Sequence, residues 1–173
     1  MAGHPEWPDV EFDRSKLHGG LASVLVARED RRRHRVEVCG YLVDTHCLGL
    51  KNTVGPKNTV GPKTMATGAL DAFVADYFAA HDGPPLPVGL DLVQHLVFGA
   101  IEYARGLGFE PHRDLDLVVD HLGEWSPPSA ITFGFHGQPL YCQGPRDSAT
   151  AIMATLNRTV GQGNYHYVLQ ARG

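Results

Sequence analysis

A chain of 173 residues, 43% hydrophobic and 20% charged, is long enough for one domain with a real core, and its mixture excludes disorder and fibrous repeats. A net charge of −4 and a pI near 6.2 exclude a protein whose main business is coating nucleic acid, while leaving room for a local basic site. Apolar runs such as LVFGAIEYA stop well short of the roughly 18 residues a membrane span requires, and MAGHPEWPDVEF does not read as a signal or transit peptide. No membrane partner is therefore expected. Three cysteines, Cys39, Cys47 and Cys142, without a secretory signal point to free thiols and a cytoplasmic address.

Residues 1–19, broken by prolines and charged clusters, read as an irregular N-terminal arm, and 20–173 as a single domain. LASVLVAR and RVEVCGYLVD are rich in valine and leucine and predict two strands joined by EDRRRH into a hairpin. In the second strand Val36, Val38 and Leu42 share one face and Cys39, Tyr41 and Val43 the other. Apolar groups on both faces predict a central strand. The unit KNTVGP then occurs at 51–56 and again at 57–62. Two copies are too few for a stacked repeat architecture, so 51–63 reads as an exposed loop that has been duplicated, with Lys51 and Asn52 not held accurately. MATGALDAFVADYFAAHDG carries Leu70, Phe73, Val74 and Tyr77 at helical spacing, and the proline-rich PPLPVG leads into a longer helix, LDLVQHLVFGAIEYARGLG. PHRDLDLVVDHLG predicts a third helix and ITFGFHGQPLYCQG a hairpin turning at His136-Gly137. RDSATAIMATLNRTVG predicts a helix capped by Asp147 or Ser148, and YHYVLQ a last strand. Strands at both ends with helices between them predict an α+β fold, a largely antiparallel sheet of about five strands packed with about four helices.

Candidate chemistry gathers where the second strand ends. Asp44, His46 and Cys47 fall within four positions, and His95 and Glu102 lie seven residues apart on the long helix, nearly in line, with Gly99 between them. The enzymatic reading is a hydrolase or acyl transferase with Cys47 as thiolate nucleophile, His95 as base, and Glu102 or Asp44 orienting the imidazole. The competing reading makes Cys47 a small buried hydrophobe and His95 a satisfied core histidine. If the strand continues through Cys47, alternation sends Asp44 and His46 one way and Cys47 the other. Asp44 itself needs a partner, a strand end or a proton to be buried.

No strong zinc spacing is present, so no metal or cofactor is expected, although His95, His112, Asp44 and Glu102 would be the residues to supply one. Arg31, Arg32, Arg33 and Arg35 form a basic hairpin tip, and a non-catalytic module would hold RNA or a protein partner there, with the aromatics of NYHYV as a stacking surface. Glu29 and Asp30 partly neutralise that tip.

YLVDTHCLGLKN, HLVFGAIEYARGLGFEPH and RTVGQGNYHYV together resemble a family of small uncharacterised bacterial proteins over most of residues 36–168. The resemblance implies a bacterial cytoplasmic origin and brings no activity, ligand or catalytic residue with it. The duplicated KNTVGP unit departs from that pattern.

Overall fold

The structure, a computed structural model, describes residues 20–54, 62–111 and 115–170; the expected N-terminal arm and His112 lie outside them. The valine-rich segments form β1 (Leu21–Asp30) and β2 (Arg35–Asp44), antiparallel in unbroken register from Leu21 opposite Asp44 to Asp30 opposite Arg35. No Asn-Gly pair is needed at their turn, because Asp30 Oδ1 accepts the N–H groups of Arg32 and Arg33 at 3.1 and 3.3 Å. β2 is central: β1 lies along one edge, and β3 (Gly49–Val54) and β4 (Lys63–Ala66) share the other. Both of its faces are buried, Cys39, Tyr41 and Val43 on one and Val36 and Val38 on the other, as the two-sided apolar pattern predicts.

The duplicated segment is not a loop where it begins. Lys51–Val54 of its first copy belong to β3, where Asn52, Thr53 and Val54 pair with β2 and Lys51 sits at a shift in the register, and Lys63, just past the second, opens β4; residues 55–61 lie outside the described ones. The helix expected from Met65 onward starts later for the same reason, since Lys63–Ala66 are taken by the sheet. A short turn of 3-10 helix at Thr67–Ala69 leads into α1 (Leu70–Phe78).

α2 (Leu90–Gly106) and α3 (Leu115–Leu122) follow. The turn at His136-Gly137 is present, with φ of 49° and 79° and reciprocal hydrogen bonds between Phe135 and Gln138. It does not lie between two strands, however. β5 (Leu140–Cys142) instead pairs in parallel with β6 (His166–Val168), and α4 (Ala149–Thr159) makes the crossover between them. The fold is α+β, with four helices, a four-stranded antiparallel sheet and a two-stranded parallel one among the described residues.

Among the described residues, two apolar clusters make the core. The larger sets Val26, Cys39, Tyr41 and Val43 against Val93, Val97, Ala100 and Ile101 of α2; the smaller joins Cys47, Leu107, Tyr141, Leu156 and Tyr165. The start of β3 comes so close to α2 that a Cβ on Gly49 would lie 2.7 Å from the Ala100 carbonyl oxygen, and Gly49 has a φ of +66°. Glycine satisfies both demands.

Candidate functional site

β2 ends at Asp44, and Thr45–Leu48 form the turn into β3. Strand alternation therefore stops before His46 and Cys47. Asp44 is buried, and its Oδ1 accepts the backbone N–H groups of His46 at 2.9 Å and Cys47 at 3.0 Å, so the carboxylate holds the turn together. Burial pushes its pKa up, against the pull of those N–H donors and of the Lys51 ammonium. The partner this residue requires is thus the chain that follows it, and an aspartate just before a tight turn is the local signal for that use.

Cys47 and His95 are not brought together. Cys47 is fully buried among Leu107, Tyr141, Leu156 and Tyr165, and burial, followed by the Asp44 carboxylate, pushes its thiol pKa far up. His95 lies twelve residues before Leu107, about 18 Å along the helix axis at 1.5 Å per residue. Its Nδ1 accepts from the Trp125 indole N–H at 3.3 Å and the Ala130 N–H at 3.2 Å, and its carbonyl accepts from Ser129 Oγ. Gly99 packs on Ser129 and Phe133, while Glu102 is exposed. The helix face that carries His95 is covered by the segment around 125–133 and does not meet the end of β2. A thiolate needs a cation or a base within hydrogen-bond reach, and Cys47 has an apolar pocket instead.

Lys51, which the sequence places in an exposed loop, is a structural residue. As part of β3 it reaches Asp147 just before α4, with Nζ 3.1 Å from Oδ2, and both side chains are mostly buried. Asp147 Oδ2 also accepts the Gly144 N–H at 2.8 Å, so the pair fixes the start of α4. The residues lie 96 positions apart, and no local pattern links them. Among the described residues, no group of three or more histidine, cysteine, aspartate or glutamate side chains is gathered to ligate a metal.

At the hairpin tip, Arg31 pairs with Glu29 at 3.6 Å and Arg33 with Asp30 at 3.7 Å, and Arg32 and Arg35 are exposed. The basic side chains are solvated and partly neutralised by their own strand.

An apolar concavity lies elsewhere. A cleft of about 850 Å³ runs along β1, lined by every residue from Ala22 to Arg28, by Leu70, Val74 and Phe78 of α1, by the Gly83–Val88 connector and by the first turns of α2. Successive strand residues point to opposite faces, so a cavity that touches all seven follows the outer edge of the strand. Leu70, Val74 and Phe78, four apart, form one stripe of α1. Leu86 is 82% exposed and Val88 49%, an unusual state for large apolar side chains inside a concavity. The signal in the sequence was the apolar PPLPVG connector, which cannot bury its own side chains. Arg28 and His81 are the titratable residues in the lining, and no acidic side chain joins them. No helix among the described residues is long and apolar enough to cross a membrane. No family model, curated protein or solved structure matches the chain.

Proposed function

We propose that the protein is a binding module that takes an apolar partner group into the cleft along β1. The open apolar concavity beside a sheet edge carries this reading: it has the volume of an ordinary ligand site, and it leaves Leu86 and Val88 exposed until something covers them. The buried, proton-retaining thiol of Cys47 and its separation from His95 weigh against the cysteine hydrolase or acyl transferase, and the internal pairing of Arg31 and Arg33 weighs against RNA at the hairpin tip. Anilinonaphthalene sulfonate, an apolar ring system with one anionic group, matches a lining that is apolar with Arg28 at its margin. Its fluorescence should rise saturably with the native protein and lose that rise in Leu86→Asp, a substitution at a side chain too exposed to matter for folding. A native protein that leaves the dye dark, or a Leu86→Asp variant that binds it equally well, would overturn the reading.

A further inference from the structure

The edge of β1 that faces the cleft has a definite hydrogen-bonding pattern. The Gly20 carbonyl accepts the Thr45 N–H at 3.0 Å, which makes Gly20–Thr45 a hydrogen-bonded pair in line with the β1–β2 register. Hydrogen-bonded pairs recur every second residue, so Ala22, Val24, Val26 and Arg28 turn their N–H and C=O groups toward β2. Ser23, Leu25 and Ala27 turn theirs into the cleft. Among the described residues, no backbone hydrogen bond meets those outward groups. The connector across the cleft cannot supply a full set of donors, because Pro84, Pro85 and Pro87 have no N–H. β1 also lacks the lysine or proline that guards a free strand edge: from Leu21 to Ala27 it reads LASVLVA.

An unpaired ladder of alternating donors and acceptors between apolar walls is complementary to one chemical object, an extended polypeptide with apolar side chains. The lining adds a sign, since it includes the Arg28 guanidinium and no carboxylate. Resting on the cleft as the binding site, we propose that its occupant is an extended segment of a partner protein. The segment adds to β1 as a further strand, hydrogen-bonds to Ser23, Leu25 and Ala27, and carries a carboxylate toward Arg28.

The probe is a synthetic peptide of alternating valine and threonine with a free C-terminal carboxylate, as long as the Ala22–Arg28 stretch. It should displace the dye, and amide hydrogen exchange of the complex should slow at Ser23, Leu25 and Ala27, with Val24 and Val26, already bonded to β2, unchanged. Two N-methylated versions, modified at odd or at even nitrogens, separate pairing from burial. One of them should bind about tenfold more weakly and the other as the parent does, because only one set of N–H groups faces β1. Amidating the carboxylate should also weaken binding. If both methylated peptides bind as the parent does, or the peptide fails to displace a dye that binds, strand addition is overturned and the cleft reading survives. If the dye does not bind either, the cleft reading fails with it. Should the β1 amides already be protected in the free protein, in step with self-association on sedimentation, a second copy occupies the edge and the partner-protein proposal is wrong.

Discussion

Asp44 shows how one side chain is used for structure where its neighbours suggested chemistry. Its Oδ1 satisfies two backbone N–H groups of a turn whose surroundings are otherwise apolar, and replacing it with alanine would leave both donors without that acceptor. Asp44→Ala should therefore cost about 1–3 kcal/mol, read from urea denaturation. Asparagine keeps an oxygen at the same place and discards the charge. Because burial raises the Asp44 pKa, the folded state favours the neutral acid. The stabilisation tied to that proton is complete below the ordinary aspartate value and is lost as the pH rises through the folded one. The stability difference between Asp44→Asn and the native protein should accordingly move in favour of asparagine as the pH rises from below the ordinary aspartate value. A difference that stays flat over that rise would mean the carboxylate is not disfavoured in the fold.

At the scale of elements, α2 does the most to organise the molecule, and Gly99 sets its distance from the segment that covers it. A Cβ there would fall within 2.5 Å of the Ser129 side chain and 2.7 Å of Phe133. Ser129 cannot simply rotate away, because its hydroxyl donates to the His95 carbonyl and accepts from the Ile131 N–H. Alanine is the better helix former by about 1 kcal/mol, so helix propensity alone predicts that Gly99→Ala stabilises. Packing should win, with a net loss of about 1–2 kcal/mol in denaturant midpoint measurements. Elements of this kind were legible in the sequence to the extent that periodicity governs them. β1, β2, α2 and α4 follow from alternation or helical spacing, and the central place of β2 follows from apolar groups on both its faces. What periodicity does not record is pairing at a distance. Nothing in KNTVGP distinguishes a loop from a strand that finds an edge of β2, and nothing near LYC announces a parallel partner beyond α4. The cleft eluded the sequence for the same reason, since its walls come from three elements and the connector between two of them.

Across the whole molecule, the two apolar clusters are tied by shared elements. α2 gives Val93, Val97, Ala100 and Ile101 to the larger cluster, while its Tyr103 packs against the smaller and Leu107, the residue that caps the helix, belongs to it; Leu50 packs in the first and Cys47 in the second. The Lys51–Asp147 pair is a further tie, joining β3 of the antiparallel sheet to the start of α4. Removing Lys51 would leave the mostly buried Asp147 carboxylate without the ammonium that answers its charge, a situation that destabilises more than the intact pair stabilises. The residual exposure of both groups softens the loss, so Lys51→Met should cost about 1–2 kcal/mol. Lys51→Met combined with Asp147→Asn should recover part of it, because no charge is then left unanswered. If the clusters share their elements as described, the loss cannot stay with α4. Trp125 stacks on Phe98, which packs against the larger cluster, so in a Trp7→Phe background its fluorescence follows that part of the molecule, while far-ultraviolet circular dichroism follows the helices. Both signals should shift to the same lower denaturant midpoint in Lys51→Met. A circular dichroism transition that moves ahead of the Trp125 transition would instead show α4 and its cluster melting alone, and the salt bridge would then be a local clasp with no part in the cooperativity of the fold.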